Sequence, residues 1–246
     1  MDVPSWIESL KADGDLLAEV ATTTAFDPDV PGCPGWRVRD LVGHLGRVHR
    51  WARTIVADRI DEDGFGRLGE LMNSEVPGDD GLIEWFRAGH RDLVDTLEAA
   101  PEDLACFTFM PASTPRTFWA RRQAHETAVH RVDAEQAAGR PSAIDPELAE
   151  DGVDELLTGF APRSRKLRAA QPRRLRFGTG ERHWLLTVGP DLTVTETGAD
   201  EPADVTVTGP GETLYLALWN RVPWDGLAVT GDDDLPSFWS DVFRVR

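Results

Sequence analysis

Glu126 and His130 form the first pair of side chains in this sequence whose types and spacing could bind a metal ion. Residues four apart lie one above the other on a helix, so the carboxylate and the imidazole can reach one ion. The same helical face carries Trp119, Gln123 and Asp133, and polar groups that project into a bundle are typical of ligand sites. On spacing alone, an ordinary hydrogen-bonded pair on the helix surface is the alternative interpretation.

A third ligand has to come from another helix, and the segment 38–59 offers His44 and His49. These two histidines lie about 140° apart at opposite edges of the apolar arc of that helix, so periodicity does not choose between them. Two histidines and one carboxylate leave one coordination position open, which is typical of catalytic zinc and suggests Lewis-acid or nucleophile-activating chemistry. A fourth protein ligand, for instance Cys33 or His49, would instead make the site structural.

The other metal-ligating residue types are scattered. Cys33 and Cys106 are the only cysteines and form no CxxC motif, which argues against a disulfide framework and a cysteine-rich zinc site. His90, His125 and His183 have no partner at ligand spacing except Glu126, which follows His125 but points about 100° away. We therefore interpret these three histidines as structural or exposed.

The elements that must position these groups are amphipathic helices. Apolar residues recur at helical spacing in five segments: 4–25, 38–59, 82–99, 116–138 and 146–160. The segment 27–36 is rich in proline and glycine, so it is expected to be an ordered loop. Four or five antiparallel helices with one long crossover form a bundle.

The C-terminal part has a different periodicity. Short β-type runs separated by glycine, proline and aspartate predict strands at 175–177, 184–188, 192–195, 205–208 and 227–230. Helices are expected from Gly211 through Trp219 and over 232–243, with Asp232 as an N-cap. A basic, proline-punctuated junction over 163–174 divides the chain into residues 1–162 and 163–246. The predicted fold class is α+β, a helical bundle followed by a small α+β domain.

Composition limits the possible partners. The formal charge is −17, which repels phosphate backbones and anionic lipid headgroups, so neither nucleic acid nor a membrane is an expected partner. No stretch reaches the roughly 20 apolar residues of a spanning helix, and the N-terminus lacks the pattern of a signal peptide. The cytoplasm is the expected location.

Two motifs resemble those of a known family. Residues 34–36 read Pro-Gly-Trp and are followed by Val-Arg-Asp-Leu-Val-Gly-His-Leu over 38–45, and residues 121–135 contain Glu-Thr-Ala-Val-His. Together they resemble the mycothiol-dependent maleylpyruvate isomerase family, which has a DinB-like metal-binding bundle. The segments 203–209 and 216–221 resemble the small sterol-carrier-like C-terminal domain of that family.

The resemblance implies both a ligand set and a cosubstrate. It implies that His44, Glu126 and His130 hold a divalent metal, normally zinc, and it selects His44 over His49. It also implies that the thiol of mycothiol occupies the open metal position, where coordination favours the thiolate. The thiolate would add to a cis double bond conjugated to a carbonyl, and rotation and elimination would return the trans isomer.

Arg221 matches an arginine of the family's C-terminal domain that is associated with activity. A guanidinium can bind a substrate carboxylate bidentately, and the alternative is a helix-end arginine that caps backbone carbonyls. The leading hypothesis is an isomerase or thiol S-transferase that acts on a small unsaturated acid or other electrophile, with a low-molecular-weight thiol as its partner. The alternative is a non-catalytic metal-binding or thiol-sensing regulatory module.

Overall fold

A computed structural model of the chain describes residues 1–66, 68–180, 182–231 and 234–243. The chain divides into two compact units, Met1–Ala143 and Ile144–Arg246. The first is a bundle of helices and the second contains a five-stranded sheet, which confirms the predicted fold class. In the parts of the chain that the structure describes, none of the helices combines the length and the hydrophobicity of a membrane-spanning segment.

In the described part of the N-terminal unit there are four long helices, and two short ones lie in the connection between the second and the third long helix. In chain order they are α1 (Val3–Thr24), α2 (Val38–Ala57), α3 (Glu62–Phe65), α4 (Gly69–Met72), α5 (Asp79–Ala99) and α6 (Pro115–Ala137). The long helices agree with the segments predicted from apolar periodicity.

Local sequence signals mark where α1 and α6 begin. Asp2 precedes α1 and accepts a hydrogen bond from the backbone N–H of Ser5 at 3.0 Å, and Thr114 does the same for Thr117 before α6 at 3.1 Å. Each of these caps satisfies a backbone donor that has no partner inside the helix. Proline in the first turn of both helices is compatible with this geometry.

α6 is unusual because its side chains are buried on almost every side. Its buried residues include arginine, glutamine, histidine, aspartate and glutamate as well as apolar side chains. Arg131 is the clearest case: its guanidinium donates to Asp13 of α1 at 3.0 Å, to Glu135 at 2.7 Å and to the carbonyl of Ala143 at 2.8 Å. Buried polar groups need such partners because an unpaired one is costly.

The C-terminal unit is built on one mixed sheet. Its elements are α7 (Pro146–Asp154), β1 (Arg173–Thr179), β2 (Arg182–Val188), β3 (Leu192–Thr197), β4 (Val205–Thr208), α8 (Gly211–Leu218), β5 (Ala228–Gly231) and α9 (Leu235–Val242). The strand order is β3-β2-β1-β4-β5, with β1 and β4 parallel and the other pairs antiparallel. All five predicted strands are present, whereas the expected N-cap Asp232 lies outside the described residues.

The unit boundary differs from the expected division after residue 162, because α7 belongs with the C-terminal unit. α7 continues through a π-helical turn (Glu155–Phe160), so the predicted helix over 146–160 is present. Gly152 of α7 leaves room for the ring of Tyr215 on α8, since a Cβ there would lie 2.2 Å from that ring. This packing joins α7 to α8 within the C-terminal unit.

Candidate metal centre

Three side chains from α2 and α6 converge inside the N-terminal unit. His44 Nε2 lies 3.5 Å from Oε1 of Glu126, and His130 Nε2 lies 3.4 Å from the same oxygen. All three potential ligand atoms lie within 4.8 Å of one another. The structure therefore brings together the three residues that the sequence resemblance implies as metal ligands.

The spacing of these atoms fits a divalent ion. Zinc binds imidazole nitrogen and carboxylate oxygen at about 2.0–2.2 Å in a tetrahedral arrangement, which places neighbouring ligand atoms roughly 3.3–3.5 Å apart. The two nitrogen–oxygen distances of 3.5 and 3.4 Å match that separation. Two imidazoles and one carboxylate are also donors that zinc accepts, so the residues present fit such an ion.

Arg122 fixes the carboxylate of the cluster. Its Nη2 donates to Oε2 of Glu126 at 2.7 Å, which leaves Oε1 facing the two imidazoles. Burial alone raises the pKa of Glu126, but hydrogen bonds from His130 and His44 and the charge of Arg122 outweigh burial and hold that pKa well below its usual range. The sequence pattern does not single out Arg122, although its position four residues before Glu126 is a signal for such a pair.

Asp133 fixes the second imidazole. Its Oδ2 lies 2.9 Å from Nδ1 of His130, and because a carboxylate only accepts, Nδ1 is the donor and the Nε2 lone pair can serve a metal. Cys33 donates its thiol to the same oxygen of Asp133 at 3.5 Å. Burial alone lowers the pKa of His130, but hydrogen bonds with Asp133, Cys33 and Glu126 raise that pKa well above its usual range.

The proline- and glycine-rich loop before α2 places the side chains of Cys33 and Trp36 at the cluster. Backbone hydrogen bonds fold the loop tightly, from Val30 to Trp36 at 2.9 Å and from Trp36 to Cys33 at 3.0 Å, and Gly35 supplies a left-handed conformation at φ +88°. The ring of Trp36 lies 4.8 Å from that of His44. The predicted ordered loop thus covers one side of the cluster.

His49, the alternative ligand, points elsewhere. Its Nε2 is 3.0 Å from Thr127 Oγ1, and its ring packs against Phe86 and His90 in the core. Burial and the neighbouring His90 lower the pKa of His49 well below its usual range. His44, not His49, therefore lies beside Glu126 and His130.

The remaining histidines are buried: His90, His125 and His183. They fit the structural part of the interpretation made from the sequence. His90 lies against α1, where Gly14 leaves space for its ring, since a Cβ at that position would be 2.3 Å from the imidazole.

Arg221 lies in the C-terminal unit, just after α8. Its Nη1 donates to the carbonyl of Trp219 at 2.7 Å, and its backbone N–H donates to the carbonyl of Leu216 at 2.8 Å. These contacts are those expected of an arginine that caps backbone carbonyls at a helix end.

The fold and the cluster define a two-domain protein whose helical bundle carries two histidines and a glutamate around one point. Residues 8–135 match the mycothiol maleylpyruvate isomerase N-terminal domain, and residues 147–238 match the C-terminal domain of the same family. The chain therefore belongs to the mycothiol maleylpyruvate isomerase family, and the resemblance seen in the sequence is confirmed.

Solved structures named as the mycothiol-dependent maleylpyruvate isomerase share this fold. A crystal structure of a histidine-to-alanine mutant of the mycothiol-dependent maleylpyruvate isomerase has a TM-score of 0.62 at 11% identity, covering 94% of this chain and 93% of the other. A second crystal structure, of the mycothiol-dependent maleylpyruvate isomerase, has a TM-score of 0.57 at 12% identity, with the same coverage. No curated protein sequence matches the chain.

Proposed function

We propose that this protein is a metal- and mycothiol-dependent enzyme that isomerises a small unsaturated acid or transfers a thiol to such an acid or another electrophile. The observation that supports the proposal is the spacing of three possible ligand atoms. Nε2 of His44 and Nε2 of His130 lie 3.5 and 3.4 Å from Oε1 of Glu126. Zinc is the ion that fits best, since it combines these donors with an open fourth position. The relatives named as mycothiol-dependent maleylpyruvate isomerases support the thiol and the reaction class.

In this proposal each residue of the cluster has a distinct task. His44, Glu126 and His130 hold the ion, which when bound would lower the pKa of a thiol so that the thiolate is available near neutral pH. Arg122 keeps one carboxylate oxygen of Glu126 directed at the imidazoles. Asp133 keeps the proton of His130 on Nδ1 and away from the metal-facing nitrogen.

The isomerisation is balanced without an oxidant, a reductant or a net proton. The thiolate sulfur forms a bond to one carbon of the cis double bond, and the electron pair moves to the conjugated carbonyl oxygen. After rotation about the resulting single bond, the double bond reforms and the thiolate leaves. In thiol transfer the sulfur instead stays bound, and a proton from water completes the adduct.

The structural alternative requires a fourth protein ligand at the same point. Cys33 contacts Asp133 on the Nδ1 side of His130, and His49 is bound to Thr127. Among the described residues, the donor atoms of His44 and Glu126 group with that of His130, whereas Cys33 groups with His130 and Asp133. An open position favours the enzyme over a closed structural or regulatory site.

For Arg221 we propose the role that the family resemblance implies, which is to bind a carboxylate of the substrate. A guanidinium can bind a carboxylate through two parallel N–H groups. Arg221→Lys should keep the positive charge and lose the bidentate geometry, so a role in binding should appear as a raised KM.

The proposed function is tested by thiol binding to the cobalt-substituted protein. Addition of mycothiol should produce the intense sulfur-to-cobalt charge-transfer absorption of a metal thiolate, saturating at one thiol per protein. His130→Ala should not show it, because two ligands hold the ion poorly. Cobalt that is bound but gives no such absorption with mycothiol would contradict the thiol-dependent enzyme and favour the metal-binding regulatory module.

A further inference from the structure

A cavity of about 540 Å³ lies beside His44 within the N-terminal unit. One wall is the face of α2 that carries Gly43, His44 and Arg47, and residues 76–79 form the facing wall. Gly43 lets the two walls approach each other, since a Cβ there would lie 3.3 Å from a methyl group of Val76. The volume is that of a small-molecule site.

Arg47 supplies this cavity with a positive charge that is available to a ligand. Its Nε donates to the backbone carbonyl of Ser74 at 2.8 Å, which orients the guanidinium and ties the opposite segment to α2. Within the described parts of the chain, no other hydrogen bond or ion pair involves Arg47. The terminal nitrogens Nη1 and Nη2 are left, and their parallel N–H groups match the two oxygens of a carboxylate.

The other charges around the cavity already have partners. Arg39 is bound to Asp27 at 2.9 Å and to Asp79 at 3.0 Å. Asp40 accepts a backbone hydrogen bond at the start of α2 at 2.8 Å, and it precedes Arg47 by seven residues, about 10 Å along the helix axis. Of the described residues that line the cavity, Arg47 is thus the cation without a carboxylate.

We infer that Arg47 binds a carboxylate of a small acid, and that this acid lies along α2 with its other end towards His44. Residues three apart on a helix share a face, so one small molecule can reach both side chains. The inference deepens the proposed function and rests on it: it assigns an anion-binding residue of the N-terminal unit to the substrate of the metal site. The ligand class is a short, unsaturated carboxylic acid.

Calorimetric titration of the zinc-loaded protein with maleate, a short cis-unsaturated dicarboxylate, tests the inference. Arg47→Gln should raise the Kd for maleate about tenfold to hundredfold, which is the usual contribution of a hydrogen-bonded charged group. The uncharged diamide of maleate should bind weakly and equally to both proteins. The zinc content of the variant should be unchanged, because Arg47 is not among the proposed ligands.

Arg53→Gln is the matched control, because Arg53 is an exposed residue of the same helix and the variant makes the same change in charge. Its Kd for maleate should stay at the wild-type value. Arg47→Lys should give an intermediate Kd, since it keeps the charge and loses the fork, and it replaces Arg47→Gln if that variant does not fold.

The outcomes separate the inference from the proposed function. If the protein binds no zinc but Arg47→Gln still weakens maleate binding, the metal proposal fails and the role of Arg47 stands. The inference about Arg47 is overturned if wild-type protein does not bind maleate, if Arg47→Gln binds it as tightly as wild type, or if Arg53→Gln weakens binding equally.

Discussion

At the scale of single residues, the cluster depends on groups that never touch the proposed ion. Arg122 and Asp133 each hold one ligand through its far atom, at 2.7 Å and 2.9 Å. Such outer partners fix the orientation and the protonation of metal ligands. Arg122 and Asp133 also affect how strongly protons compete with a metal. Oε1 of Glu126 faces both imidazoles, and a proton between these groups can take the place of an ion.

Asp133→Asn should weaken zinc binding about tenfold to hundredfold. The amide keeps the size of the side chain but removes the negative charge that favours a proton on Nδ1 of His130. The measurement is competition for zinc with a chromophoric chelator.

Cys33→Ser is the matched control for this variant, because a hydroxyl can still donate to Asp133. Its zinc affinity should stay close to that of the wild-type protein. Equal affinities of wild type and Asp133→Asn would show that Asp133 does not support the site.

Sequence reasoning reached only part of this set of residues. Glu126 and His130 could be paired because helical spacing is local. His44 and His49 could not be separated by periodicity, since both lie at edges of the apolar arc, and only the family resemblance or the fold distinguishes them. The contact of Cys33 with Asp133 joins residues 100 positions apart, so no local pattern contains it.

At the scale of elements, α6 is the helix on which the bundle and the site both depend. Some of its buried polar residues belong to the cluster, and others form structural ion pairs. Arg131, for example, binds Asp13 of α1 at 3.0 Å. Asp13 is buried, and although Arg131 lowers its pKa, burial prevails and raises it. Without Arg131, two buried carboxylates, those of Asp13 and Glu135, would face each other unpaired.

Arg131→Met should therefore lower the free energy of unfolding by about 3–5 kcal/mol, the usual cost of breaking a buried ion pair from one side. Chemical denaturation of the purified variant measures it. Arg91→Met removes one partner of an exposed pair with Glu84 at 3.3 Å and should cost less than about 1 kcal/mol. Similar losses of unfolding free energy in the two variants would show that the buried ion pairs of Arg131 do not stabilise the bundle.

Helices and strands were largely predictable, but their grouping into units was not. Periodicity identified the long helices and the five strands because each pattern extends over one element. The boundary before α7 depends on the packing of Gly152 against Tyr215, which are far apart in the sequence. A basic run over 163–174 was a reasonable sign of a linker, yet composition does not report which neighbour a helix packs on.

At the scale of the whole molecule, family membership and fold agree over nearly the full chain. The solved isomerases share this fold at a sequence identity of only 11–12%. The net charge of −17 repels anions over the surface, so the proposed binding of a small acid requires a local cation such as Arg47.

The most direct test of the metal centre is elemental analysis of the purified wild-type protein beside His130→Ala and His49→Gln. Wild type and His49→Gln should each contain about one equivalent of zinc or another divalent ion, because His49 contributes to the core and not to the cluster. His130→Ala should be folded by circular dichroism and hold little metal. A full equivalent of metal in His130→Ala, or none in the wild-type protein, would contradict a metal centre at His44, Glu126 and His130.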